Sequence, residues 1–302
     1  MPMNYSLSGL TIFLSFLAST AAAQHFTWTG MRNPCKQSAE DGLNEKQLGR
    51  KIGTFILLPD REAWAHAIFN VQNRFPSSRP WATWGVGDVR DAQSLTDAQH
   101  EEYLDRMDEL GVDIFLELAP NRDADVPALI DLWLAKLKHH SSIKGLGIDL
   151  EFYKRVDDAT AREWDKQIKS VDSNYRMFFK HWEQGFMPPT YRGNGDVIFI
   201  NTSSEASVDA LNTEFSAWAR HFAPNAVAFQ IGYPADEDGM DGDKNKGWWR
   251  LRDPIKDWGD ALLAKIGNPN QQIGLLWVCA KSGKSYNAEW DLTKGAIIPT
   301  SK

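Results

Sequence analysis

The chain has few of the features that would assign it quickly, and each absence removes a class. Two cysteines, Cys35 and Cys279, stand in 302 residues, too few for a disulfide-dense small module. No run of Lys and Arg interrupts a formal net charge of -7. Nucleic acid needs a basic footprint, so no nucleic-acid partner is expected. No GxGxxG or Walker-type loop follows an apolar run, and neither HExxH nor GxSxG occurs. Dinucleotide folds, zincins and α/β-hydrolases are therefore disfavoured. The seven histidines are scattered, with only His139 and His140 adjacent, and the reading expects no metal and no cofactor.

Long apolar stretches are also missing after the N-terminus. LSGLTIFLSFLAST, residues 7 to 20, is too short to span a bilayer with ease, and Ala21-Ala22-Ala23 follows it. This reads as a signal peptide over residues 1–23 and predicts a secreted protein, although MPMNYS lacks Lys and Arg. Export would place Cys35 and Cys279 where a disulfide persists; a bridge and two free thiols both stay open.

What is present is a pattern of alternation. Eight β-branched and aromatic runs are KIGTFILLP (51 to 59), RPWATWGVGDV (79 to 89), GVDIFLELAP (111 to 120), IKGLGIDLEFY (143 to 153), NYRMFFKHW (174 to 182), DVIFINTS (196 to 203), AVAFQIGYP (226 to 234) and IGLLWVCA (273 to 280). Segments of helical periodicity lie between most of them, such as LTDAQHEEYLDRMDEL and SVDALNTEFSAWARHF. That order predicts parallel strands with crossover helices, an α/β (β/α)8 TIM barrel. The expected organisation is a lead-in over 24–50 and one barrel domain over 51–302, acting as a monomer. Residues 183 to 195 read as a loop where a fifth helix would fall, and the eighth helix, YNAEWDLTK, is short.

In such a barrel, function gathers at the C-terminal strand ends. The rule selects Asp60, Trp84, Asp88, Glu117, Asp149, Glu151, Tyr153, Lys180, His181, Asn201, Gln230, Tyr233 and Trp277. On KGLGIDLEFY, period-two alternation puts Gly145, Gly147, Asp149 and Glu151 on one face. The expectation is that both carboxylates point inward, above space left by the glycines. The same alternation sends Glu117, Asn201 and Gln230 inward.

Paired carboxylates in a cleft suit glycoside hydrolysis, one as general acid and one as nucleophile or base. Thirteen Trp and seven Tyr fill cores and also supply faces for sugar rings. A polysaccharide or oligosaccharide partner is therefore expected. Trp84, Asp88, Tyr153, Asn201, Gln230, Tyr233 and Trp277 are the candidate binding residues, and Glu151, Asp149 and Glu117 the candidate catalytic ones.

The fourth run resembles the signature strand of glycoside hydrolase family 18, the chitinases and endo-N-acetylglucosaminidases, written Asp-Gly-x-Asp-x-Asp-x-Glu. Lys144, Gly145, Leu146, Gly147, Ile148, Asp149, Leu150 and Glu151 align with it. The last Asp and the Glu match; Lys144 and Gly147 replace the first two Asp. The resemblance implies a TIM barrel acting on amino sugars, with Glu151 as acid/base, Asp149 holding a 2-acetamido group and Trp277 as a stacking platform. The family's assisting Tyr has Asn201-Thr202-Ser203 in its place, leaving Tyr233 or Tyr153 as substitutes. A two-carboxylate galactosaminidase-like barrel pairing Glu151 with Glu117 or Asp236 is the alternative, and a non-catalytic chitinase-like binding protein is a second. PADEDGMDGDKNKG spaces Asp241, Asp243 and Asn245 like half a calcium loop, but Lys246 stands where glycine is needed, so it reads as a solvated acidic loop.

Overall fold

In a computed structural model the described residues are 24–32, 60–87, 95–204, 206–233, 247–248, 251–278 and 291–299. Eight strands close into a barrel: β1 (Trp28–Met31), β2 (Arg79–Val86), β3 (Asp113–Leu118), β4 (Ile143–Asp149), β5 (Arg176–Lys180), β6 (Ile198–Asn201), β7 (Val227–Ile231) and β8 (Ile273–Trp277). Every neighbour is parallel, and β8 returns to β1 with Met31 opposite Trp277.

Seven of the eight expected runs are strands, and the first is not where the sequence pattern put it. The barrel opens on the four residues WTGM, inside the stretch taken as a lead-in. Run 51–59 lies outside the described residues. So do the expected signal peptide, Cys35, Cys279, Asp88 and the acidic segment 234–246. WTGM is too short to show alternation, and its Gly30 is required by packing: a Cβ there would stand 1.8 Å from the Trp81 carbonyl oxygen.

Six α-helices are described: α1 (Arg61–Gln72), α2 (Asp97–Leu110), α3 (Val126–Leu137), α4 (Asp158–Val171), α5 (Val208–Phe222) and α6 (Pro254–Ile266). Each begins behind a residue whose side chain accepts a backbone N–H of the first turn, namely Asp60, Thr96, Asp125, Asp157, Ser207 and Asp253. Such caps satisfy donors that a helix start leaves orphaned. Asp60 is therefore an exposed cap of α1. Between β5 and β6 only two 3-10 turns occur, as the loop-like composition of 183–195 predicts. None of the described helices is long and apolar enough to cross a membrane.

The apolar residues divide into two bodies. One lies between strands and helices; the other fills the barrel with Trp28, Trp81, Phe115, Phe178, Ile198, Ile200 and Leu276 among its members. Trp28 stacks on Trp81 at 5.7 Å, Trp81 meets Phe115 edge-on at 5.8 Å, and the Trp81 indole N–H donates to the Leu275 carbonyl at 2.8 Å. Gly147 is the counterpart of this filling. A Cβ on it would stand 2.1 Å from the Phe178 ring, so the space that the sequence pattern left beneath the carboxylates is occupied by an aromatic side chain. Above that layer, at the C-terminal ends of the strands, the interior becomes polar.

Candidate active site

Lys180, the last residue of β5, is the centre of the polar layer. Its ammonium lies 2.6 Å from Glu117 Oε1 on β3 and 2.8 Å from Asp149 Oδ2 at the end of β4. The strand register brings them together: β4 lies between β3 and β5, with Gly147 opposite Glu117 and Asp149 opposite Lys180. All three side chains are buried. Burial pushes the Lys180 pKa down, but Asp149 and Glu117 push it up further, and the balance is raised above an ordinary lysine. Lys180 is thus a fixed cation. Its amine is not a free base for Schiff-base chemistry, because the charged form is the one the site stabilises.

Gln230 on β7 joins the cluster, donating from Nε2 to the Tyr233 hydroxyl just past the strand. Burial pushes the Tyr233 phenol up to about 12, against the nearby positive charges of Arg32 and Lys180. Two buried acceptors of this cluster have no hydrogen-bond partner among the described residues: Glu117 Oε2 and Gln230 Oε1. Native interiors rarely leave such groups unmet, since each costs about 1–3 kcal/mol.

Glu151 is placed differently from the expectation. β4 ends at Asp149, and Glu151 lies in the following turn, exposed. Its backbone N–H donates to Asp149 Oδ1 at 3.0 Å. Alternation holds only while the chain is a strand, so the two carboxylates are not a shared inward pair. Asp149 has one oxygen on Lys180 and the other on this turn.

Other candidates sort by face. Asn201 is a correction: Ile200 belongs to the barrel interior, and Asn201 points to α5, donating to Glu214 at 3.0 Å while its Oδ1 accepts from Ser203 N–H at 2.7 Å. Trp84 likewise faces outward into the helix layer, its indole N–H donating to His100 Nδ1 at 2.9 Å. Trp277 is fully buried against Trp248 and Trp258, with ring centres at 5.4 and 6.2 Å, and offers no open face to a sugar. Tyr153 is half-buried on Trp164 at 5.9 Å. His181 is buried between Trp182 and Phe186, at 4.1 and 3.8 Å. Its Nδ1 accepts from the Glu183 N–H at 2.8 Å, and burial lowers its pKa, so it is a neutral, positioned ring.

One residue escapes the strand-end rule. Trp182, one position past the run's His181, is 41% exposed. Among the described residues it is the single exposed tryptophan, and no periodicity in the sequence separates it from the buried ones.

No protein-family model matches this sequence, and no curated protein matches it, so the family 18 resemblance stays confined to the residues ending β4. Solved structures do share similarity. A glycoside hydrolase is 12% identical with a TM-score of 0.47, covering 84% of this chain and 88% of its own. The catalytic domain of a Streptomyces sp. SirexAA-E mannanase is 12% identical with a TM-score of 0.44, covering 99% of each chain. A double mutant of a Cellulomonas fimi endo-β-1,4-mannanase is 12% identical with a TM-score of 0.44, covering 67% of this chain; the chain spans 58% of that protein's length. Likeness this distant leaves the chemistry to the residues of this chain itself.

Proposed function

We propose that the chain is a secreted barrel glycosidase that uses two carboxylates, with Glu151 as proton donor and Glu117 as nucleophile or base. The observation that carries this reading is the pair of unmet acceptors, Glu117 Oε2 and Gln230 Oε1, in a buried polar layer at the C-terminal mouth. Groups of that kind call for hydroxyl donors, which a sugar ring presents in number. Lys180 grips the other oxygen of Glu117 and holds that carboxyl group in place. Glu151, exposed in the turn above, keeps the solvent contact that a residue exchanging protons with water needs.

Trp182 supplies an aromatic face beside this mouth. Secretion is supported by the N-terminal apolar run and Ala21-Ala22-Ala23. The engagement of both Asp149 oxygens favours the two-carboxylate route over substrate assistance by an acetamido group, and makes Asp149 a positioning residue.

The test is release of reducing ends from chitin, galactosaminoglycan, peptidoglycan and plant glycans by the purified chain and its Glu117→Gln variant. The reading predicts activity on at least one polymer and a loss of at least a hundredfold in the variant. Binding without release by both proteins would instead identify a carbohydrate-binding barrel.

A further inference from the structure

We propose that Glu101, His139 and His140 form a binding site for a divalent transition cation of the zinc class, on the side of the barrel opposite the strand C-termini. From sequence alone zinc is set aside, because the only histidine pair has no partner nearby in the chain. Packing supplies one. Glu101 lies on α2, and the turn between α3 and β4 brings His139 and His140 to it across 38 residues.

Three donor atoms converge there. Glu101 Oε2 is 3.0 Å from His139 Nε2 and 3.3 Å from His140 Nε2, and the two imidazoles lie against each other at 4.2 Å. Zinc bound at about 2.0–2.1 Å in a tetrahedron sets its ligand atoms about 3.3 Å apart, so the spacing needs little adjustment. His140 supplies the independent sign. Its side chain is 1% exposed, yet its Nε2 makes no well-formed hydrogen bond and has only the Glu101 carboxylate at 3.3 Å. A buried imidazole nitrogen, aimed at a carboxylate and otherwise unsatisfied, lacks what a cation would provide.

The outer shell is also built. Asp108 Oδ2 lies 2.8 Å from His140 Nδ1, and Asp108 Oδ1 accepts the Ser142 backbone N–H at 2.6 Å. A carboxylate behind the far nitrogen favours the tautomer that presents the Nε2 lone pair to a metal. Glu101, Asp108 and the neighbouring Asp105, 3.7 Å from His140 Nδ1, surround the two imidazoles with carboxylates, which favour a dication. The exposed edge, formed by His139 and Glu101, leaves water to complete the coordination. β4 separates this cluster from Lys180 by roughly 20 Å, so the ion would tie α2 to the α3–β4 turn and take no part in the chemistry at the mouth.

The test uses the full chain without a histidine tag, stripped with EDTA, dialysed and titrated with zinc chloride by calorimetry. His139→Ala and Glu101→Gln, both at exposed or half-exposed positions, are titrated alongside and checked for unchanged circular dichroism. The proposal predicts one zinc per wild-type chain, at least tenfold weaker binding in each variant, and a zinc-dependent rise in melting temperature in the wild type alone. No saturable binding by the wild type, or equal binding by the variants, would overturn it.

Discussion

The ammonium of Lys180 is held 2.6 Å from Glu117 Oε1, one barrel strand away across β4, and the same ammonium meets Asp149 at 2.8 Å. Three charges from three strands are thereby taken out of water together. Removing one leaves the others stranded, which in buried pairs costs about 3–5 kcal/mol. Lys180→Met is expected to lower stability by that order, measured by urea unfolding at neutral pH. A change under 1 kcal/mol would mean that the two acids are better solvated than their burial shows.

The alkaline limit follows from the same cation. An ordinary lysine titrates near 10.5, and Lys180 is raised above that value. The stabilisation is therefore complete below 10.5 and falls as pH climbs from there toward the folded-state pKa. Urea midpoints should show no loss from this group between pH 7 and 9 and a decline above about 10.5. Lys180→Met should lack the alkaline component. Reductive methylation at pH 9 should leave Lys180 unmodified, because its amine is both protonated and buried.

Gly147 is required by the Phe178 ring rather than by an open cavity. Gly147→Ala would bring a methyl group within 2.1 Å of that ring, an overpacking that costs about 1–3 kcal/mol. The combination Gly147→Ala with Phe178→Leu should recover part of the loss in melting temperature. No recovery would place the strain elsewhere.

Trp182 is expected to act in binding more than in catalysis. Loss of one aromatic stacking face is worth about 0.5–1.5 kcal/mol, so Trp182→Ala should raise KM roughly two- to tenfold at similar kcat. The same substitution at Trp277, buried under Trp248 and Trp258, should instead lower the melting temperature.

Much of the fold was legible because its signals are local. Strand and helix alternation is written over a few residues at a time, and it located seven strands and the loop after β5. WTGM was lost because four residues carry no measurable period. The site was half legible. Alternation sent Glu117, Asp149 and Gln230 to the mouth, but its use at Glu151 ran past the point where β4 stops being a strand. At Asn201 the inward face was assigned one residue out of phase, since a four-residue strand with Ile200 and Asn201 at its end does not reveal which of them the barrel buries. The exposure of Trp182 and the burial of Trp277 depend on neighbours far along the chain, which no single sequence displays. The convergence of Glu101 with His139 and His140 is of the same kind.

The most direct test is the turnover of Glu151→Gln on whichever polysaccharide the wild type cleaves, measured with its melting temperature. Glu151→Gln keeps the size of the side chain and replaces its titratable carboxyl with an amide, and removal of a general acid lowers rate by about 10²–10⁴. The account predicts a fall of that size in a variant that remains folded at the assay temperature. Full activity in the variant would contradict it.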